Sequence, residues 1–348
     1  MSYLPDTVDT SHLEGKRILV TGSAGHLGEA MIRALQSREL NVTGFDIKES
    51  PFTDVVGSIA DESLVGEIMP GVDVVLHAAT LHKPQVATHS RQDFVDTNVT
   101  GTLTLLEAAA ENKVGAFIYT STTSTFGDAM RPAPGEPAVW VTESLPPETR
   151  NIYGVTKLTA ENLCEMFNRN LGLQTMVLRT SRFFPEDDDD RGQRQRYQTD
   201  NLKVNELLFR RADIEDMVSA HILATERISH IGFHRFIISA TPPFTRDMAP
   251  GLGVDLPGVL KTLYPRYESV YAERGWEMLP MIGRVYDNSH ARDRLGFAPR
   301  YNFGDAISKL ANGEDYRSQL AVDVGAKGYH DEVFDDMPFP VEPEPCEV

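Results

Sequence analysis

Cysteine is nearly missing: Cys164 and Cys346 are the only two in 348 residues. One falls in a predicted helix and the other near the end of the chain, so they form neither a disulfide framework nor metal-ligand spacing, and no metal is expected. Positive charge is also scarce. The 33 Lys and Arg stand against 51 Asp and Glu, for a net charge of -18. That balance argues against nucleic acid or an anionic membrane as partner, because both demand a clustered cationic excess to displace counterions. No stretch approaches the roughly 20 apolar residues of a membrane-spanning helix. The polar start, with Pro5, Asp6, Asp9 and Glu14, lacks the basic and apolar regions of a secretory leader, and internal repeats are absent. The expectation is a soluble, cytoplasmic protein that acts on a small molecule.

What the chain does contain is an alternation of short apolar runs with helical patterns. RILVTG (17–22), NVTGFDI (41–47), VDVVLHAA (72–79), FIYTSTTSTFG (117–127) and LQTMVLRTS (173–181) read as strands, separated by helical segments at 27–38, 91–112 and 153–170. Strands apolar almost throughout, with helices between them, are what a parallel sheet covered on both faces requires. The predicted fold is α/β, a doubly wound Rossmann-type sheet over 16–182 after an N-terminal extension, 1–15. A smaller, less regular lobe over 183–312 follows, from which a helix (214–228) and a strand (234–240) return to the sheet. Residues 313–348 read as an acidic tail, and the charged run PEDDDDRGQRQR (185–196) as a solvated loop.

The junction of the first strand and helix, LVTGSAGHLGEA (19–30), carries Gly22, Gly25 and Gly28. A dinucleotide pyrophosphate needs close backbone approach and free N–H groups at a helix N-terminus there, which assigns cofactor contacts to Gly22, Ala24, Gly25, His26, Leu27 and Gly28. The spacing is one residue wider at its start than the general dinucleotide fingerprint. Asp46, at the end of the second strand, suits the adenosine ribose hydroxyls and would repel a 2′-phosphate, so NAD is preferred over NADP. Tyr153 and Lys157, four residues apart, share one helix face. There an ammonium can lower the phenol pKa and hold a ribose hydroxyl, while a Ser or Thr from the strand end at 119–127 faces the phenol. This is a proton relay suited to a secondary alcohol beside a nicotinamide.

An ordered series of motifs resembles the extended short-chain dehydrogenases/reductases, the NAD-dependent epimerase/dehydratase group, from about Lys16 to Pro299. It comprises TGSAGHLG (21–28), FD (45–46), GSIAD (57–61), HAA (77–79), NVTGTLTLLEAA (98–109), YTSTTSTFG (119–127), YGVTK (153–157), LRTSRFF (178–184), DIEDMVSA (213–220) and LGFAPRY (295–301). The resemblance implies Thr122 as the catalytic hydroxyl, Tyr153 as general base and acid, and Lys157 as its partner. It places Ala78, Ala79, Asn98 and Phe183 beside the cofactor, with Ser58 and Ile59 near the adenine, where Ser58 replaces the family's usual Asp. His77 is read as a packed strand residue. Substrate contacts fall to Thr123, Ser124 and Arg182, the last standing where nucleotide-sugar enzymes often have Asn, and to Arg191, which matches a carboxylate-binding Arg of uronate dehydrogenases. Dehydratases of the family tend to carry Asp-Glu after the catalytic Thr; Thr123 and Ser124 stand here instead.

The expected function is therefore an NAD-dependent sugar epimerase working through a keto intermediate, with nucleotide sugars among its expected substrates. The alternatives are a net dehydrogenase of a free sugar or uronate and, third, a non-catalytic dinucleotide-binding protein, against which the intact Thr122, Tyr153 and Lys157 speak. The family resemblance also implies a homodimer through 91–112 and 153–170.

Overall fold

The computed structural model describes residues 3–133, 135–183 and 191–327, with Arg191 described by its backbone alone. Strands β1 (Arg17–Thr21), β2 (Asn41–Asp46), β3 (Val55–Val56), β4 (Val74–His77), β5 (Ala116–Thr122), β7 (Thr175–Thr180) and β10 (Arg235–Ile238) make a seven-stranded sheet in the order β10-β7-β5-β4-β1-β2-β3. Every pairing in it is parallel, with Thr21 opposite both Phe45 and His77. Short strands β6 (Val139–Val141) and β11 (Arg284–Tyr286) pair in the second lobe, and β8 (Arg182–Phe183) pairs with β9 (Arg211–Ala212).

Alternation along the strands builds a core on each face. Ile18, Val20, Leu76, Ile118, Met176 and Leu178 pack on α1 (His26–Gln36) and α5 (Ile214–Ile231). Leu19, Val75, Phe117, Tyr119 and Val177 point the other way, toward α2 (Glu62–Ile68), α3 (Gly101–Glu111) and α4 (Ile152–Leu171). A period of two with both sets apolar is why these strands read as continuous apolar runs. Helix α4 is defined at both ends: the Asn151 side chain accepts from Gly154 N at 2.9 Å, and Gly172 turns left-handed at φ +72°.

Three details depart from the sequence reading. The helical stretch expected at 91–112 is broken into a turn at Arg91–Phe94, a π turn at Val95–Thr100 and α3, because Asn98 is turned inward to hold the loop after β4. Such π turns accumulate near functional sites. The lobe holds more helix than its irregular pattern suggested, including Leu256–Leu263, Tyr267–Arg274 and Phe303–Ala311. Residues 313–327, expected as part of the tail, instead carry a helix, Gln319–Val324, that packs on α1 and α5. Ser318 donates to the Asp213 carboxylate from both its N (2.9 Å) and its Oγ (2.5 Å). The rest of that tail, 328–348, lies outside the described residues, as do most of the charged 185–196 run's first residues. At the other terminus, Leu4, Val8 and Leu13 are buried in the α1/α5 core.

Asp213, Glu215 and Asp216 form a buried acidic knot that receives the chain returning from the lobe: Asp216 accepts from Arg300 N and Tyr301 N, and Glu215 pairs with Arg300 at 3.0 Å. Burial first, and the neighbouring Asp213 second, push the Glu215 carboxyl up from 4.5 to about 7, against the pull of Arg300. Between those values the folded protein retains a proton that the unfolded chain has lost, so this group's contribution to stability declines as pH rises through the window. Chemical denaturation of wild type and Glu215→Gln at pH 5 and 7.5 should show a smaller loss of stability over that interval in the variant; an identical loss would contradict the assignment.

Candidate active site

In the sheet order, β1 leads outward through β2 to β3 and β4 leads the opposite way through β5 to β7, so the chain reverses between β1 and β4. Ligands of open parallel sheets bind at the carboxyl ends of the strands flanking such a switch point. There lies a cleft of about 1110 Å³. It exceeds the roughly 300–1,000 Å³ of ordinary ligand pockets, leaving room for a dinucleotide and a second ligand.

One wall is the loop between β1 and α1. Gly22 has φ +75°, and a Cβ on it would sit 2.7 Å from Ala79 N; a Cβ on Gly28 would sit 1.9 Å from the Gly22 carbonyl oxygen. Neither position tolerates a side chain without moving backbone, so the amino end of α1 closes against β1 and opens on the cleft with His26 and Leu27. Asp46 crosses to this loop, accepting from Ala24 N at 3.0 Å and from Lys48 N at 2.9 Å. Its carboxylate lines the cleft, together with Ser58, Ile59, Ala78 and Ala79.

His77 does pack inside β4, as read. Nδ1 meets Thr21 Oγ at 2.7 Å and Nε2 meets Thr102 Oγ at 2.9 Å; Thr102 itself donates to Asn98 O, which assigns the ring proton to Nε2. Burial holds this imidazole well below its usual pKa, and neutral. Asn98 is buried behind the cleft lining rather than in it. Its Oδ1 accepts from Leu81 N at 2.7 Å and from Thr80 Oγ at 2.9 Å, and its Nδ2 donates to Leu81 O and Thr156 Oγ, so it fixes the loop that does.

On the opposite wall, β5 ends at Thr122, whose Oγ accepts from Ser124 N at 3.0 Å and begins a tight turn, Thr123–Phe126. The Thr122 hydroxyl stands near enough to the Tyr153 phenol to favour its ionised form. Lys157, one turn further along α4, donates to Thr120 O at 2.6 Å and lies 4.2 Å from the centre of the Tyr119 ring. Thr122, Tyr153 and Lys157 thus converge on the cleft beside Ala78 and Ala79. The expected lowering of the phenol pKa by the ammonium is not present in this arrangement. Burial pushes Tyr153 up, opposed by the nearby Thr122 hydroxyl, and burial pushes Lys157 down to about 7, because two buried groups each favour their neutral form.

Thr123, Ser124, Arg182 and Phe183 also face the cleft, and Arg182 stands 3.6 Å from the fully buried Glu206. The Arg191 side chain lies outside the described residues. Several residues of the site and its support escaped the sequence reading. His82 places its ring 5.0 Å from that of Tyr153. Tyr286 of the second lobe lines the cleft as well, its hydroxyl donating to Met130 Sδ at 3.5 Å. Lys327 donates its backbone N–H to His26 Nε2 at 2.9 Å and pairs with Glu29. Glu161, buried behind the site, accepts from Ser121 Oγ at 2.6 Å and pairs with Arg179 and Arg235. Of these, Glu161 alone had a local signal, its spacing of four from Lys157. Among the described residues no group of His, Cys, Asp and Glu is arranged to hold a metal, and no helix is long and apolar enough to cross a membrane.

A doubly wound sheet whose first turn is a glycine cradle, facing a Thr, Tyr and Lys set across one cleft, defines an extended short-chain dehydrogenase/reductase. Residues 18–232 match the model of the NAD dependent epimerase/dehydratase family, and the chain belongs to that family. It is similar to a dTDP-glucose 4,6-dehydratase of Streptomyces niveus, 30% identical over 183 residues that cover 47% of this chain and 52% of that one. The chain thus spans about half the length of that relative. A dTDP-glucose 4,6-dehydratase of Streptomyces antibioticus is 28% identical over 336 residues, covering 84% and 90%. Among solved structures, a short-chain dehydrogenase/reductase superfamily protein from Agrobacterium tumefaciens with bound NAD superposes with a TM-score of 0.62 at 25% identity, over 85% of this chain and 96% of that one.

The residues present fit the family's dinucleotide: bare backbone at Gly22 and Gly28 for the pyrophosphate, and a carboxylate at Asp46 for a ribose. Gly28→Ala must push α1 away from β1. Calorimetric titration with NAD is expected to show at least a tenfold weaker affinity, about 1.4 kcal/mol, and unchanged affinity would mean that the cradle does not set the cofactor position.

Proposed function

We propose that this protein oxidises a secondary alcohol of a sugar with NAD and returns it with the opposite configuration, as an epimerase whose preferred substrate is a nucleotide-linked sugar. The observation that carries this reading is the convergence of Thr122, Tyr153 and Lys157 on the cleft that also holds the glycine cradle. Bound in that cradle, NAD supplies an acceptor and donor of two electrons. Gly22, Ala24, Gly25, His26, Leu27 and Gly28 would hold its pyrophosphate, Asp46 its adenosine ribose, Ser58 and Ile59 its adenine side, and Ala78, Ala79 and Phe183 the remaining wall.

The protein's own groups handle the proton and the orientation. Thr122 and Tyr153 grip the alcohol oxygen between two hydroxyls, and Tyr153 Oη takes the alcohol proton and gives it back. Lys157, whose pKa near 7 lets it pass between charge states at neutral pH, is one turn away to hold a ribose hydroxyl and steady the phenolate. Thr123, Ser124 and Arg182 line the substrate side. Dehydration, the reaction in the names of both Streptomyces relatives, needs an acid for the departing hydroxyl, and the residues after Thr122 are Thr123 and Ser124. A net dehydrogenase of a free sugar or uronate is the second reading, favoured by an arginine at position 182. A homodimer through α3 and α4 completes the proposal, with Val155 of α4 exposed at 45%.

Tyr153→Phe removes one oxygen atom. Turnover, followed as NADH absorbance and as product configuration by NMR over a panel of free sugars, uronates and nucleotide sugars, should fall by about 10²–10⁴-fold, the range of general acid–base catalysis. NAD affinity should stay within about twofold. Full activity in the variant would remove Tyr153 from the mechanism.

A further inference from the structure

The family match ends at residue 232, yet Lys327, far beyond it in the chain, lines the cleft. Its backbone N–H donates to His26 Nε2 at 2.9 Å, and its ammonium pairs with the Glu29 carboxylate. Both partners belong to the first turn of α1, the helix that opens on the glycine loop. Because Nε2 accepts in this contact, the proton of a neutral His26 ring is assigned to Nδ1.

The segment that delivers Lys327 is fixed along its length. Ser318 caps the helix Gln319–Val324, accepting from Ala321 N at 2.9 Å while it donates to Asp213. Leu320, Ala321 and Val324 are buried in the core shared with α1 and α5. Tyr3 Oη donates to Asp323 at 2.8 Å, so the N-terminal extension holds the same helix from its other side. Gly325 then takes φ +62°, a left-handed turn that favours glycine, and two residues later the chain meets His26.

What arrives is a charge at a place where the cradle is short of one. Glu29, its side chain only 5% exposed, sits where a carboxylate favours the helix dipole but opposes a diphosphate drawing on the same N–H groups. Its Oε1 meets Arg33 Nε at 2.7 Å and its Oε2 meets Lys327. One carboxylate with two cations leaves the cluster positive; with Arg33 alone it would be neutral.

We propose that residues 318–327 form a strap that completes the dinucleotide cradle, Lys327 being the positioning residue that offsets Glu29 and holds His26 at the amino end of α1, where a diphosphate is seated. The proposal rests on the placement of NAD against residues 22–28 and adds to it a determinant from outside the family match. The ligand feature it serves is the diphosphate, not the sugar alcohol or the adenine.

Calorimetric titration of the full chain with NAD tests it. Lys327→Met should weaken NAD at least tenfold, about 1.4 kcal/mol, whereas Lys327→Arg, which keeps the charge, should stay within about threefold of wild type. The affinity of Lys327→Met should also depend less on salt. Adding Glu29→Gln to Lys327→Met should recover most of the loss, because the carboxylate that the ammonium offsets is then gone. A role confined to holding the fold predicts the reverse, since the double variant lacks both partners of that ion pair. Glu29→Gln alone, which keeps the ammonium, should bind NAD at least as tightly as wild type. Wild-type affinity in Lys327→Met, a double variant no tighter than Lys327→Met, or weakened binding in Glu29→Gln would each overturn the strap. Gly28→Ala reports on the placement beneath it: NAD weakened by Gly28→Ala but indifferent to Lys327→Met keeps the cradle and removes the strap, and wild type that takes no NAD removes both.

Discussion

A single buried carboxylate ties the catalytic helix to the sheet. Glu161 is fully enclosed, and its charge is tolerable only because three strands supply partners: Ser121 from β5 at 2.6 Å, Arg179 from β7 at 2.7 Å and Arg235 from β10 at 3.0 Å. Tyr153, Lys157 and Glu161 follow one another at intervals of four on α4, so whatever fixes Glu161 fixes the face that carries the reacting groups. The same strand delivers the opposing hydroxyl. Alternation along β5 sends Thr120 toward His221 of α5 and Ser121 toward Glu161, and the strand then ends at Thr122, where its turn begins. The gap between Thr122 and Tyr153 is thus a consequence of an ion-pair network lying behind them rather than of either residue alone.

A second constraint acts from the other side of the cleft. Because Gly22 and Gly28 have no side chains, α1 approaches β1 closely enough to bring its amino end, Asp46 and the ends of β4 and β5 around one space. The electrostatics of that space follow from its construction. Asp46 and Glu49 contribute carboxylates to its lining, Tyr153 and Lys157 stand buried in its wall, and Arg131, Arg150 and Arg284 line it as well.

Much of this was legible in the chain. Strands buried on both faces announce themselves as unbroken apolar runs, and the glycines at 22, 25 and 28, Asp46, and the Tyr153–Lys157 pair are local patterns whose spacing carries a physical meaning. What escaped depends on distance in sequence. Strands β6 and β11 are three residues each and pair across more than a hundred intervening residues, so nothing local points to Arg284 or Tyr286. The π turn at Val95–Thr100 has the same periodicity as a helix to a reader of sequence, and only the inward turn of Asn98 distinguishes it. Residues 313–327 looked like the beginning of a polar tail because their anchor, Ser318 on Asp213, is a contact between positions 105 residues apart. The lobe's helices are short, Leu256–Leu263 beginning with Pro257 in its first turn, and they are stabilised by packing rather than by propensity.

The central claim is that one cleft, framed by the glycine cradle and by Thr122, Tyr153 and Lys157, is where NAD binds and a sugar alcohol is oxidised. A crystal structure of the protein with NAD tests it most directly. The account predicts the pyrophosphate against the backbone of residues 22–28, a ribose on Asp46, and the nicotinamide ribose within hydrogen-bond reach of Lys157, its ring beside Tyr153. A dinucleotide bound elsewhere, or bound here with its nicotinamide turned away from Tyr153, would contradict it.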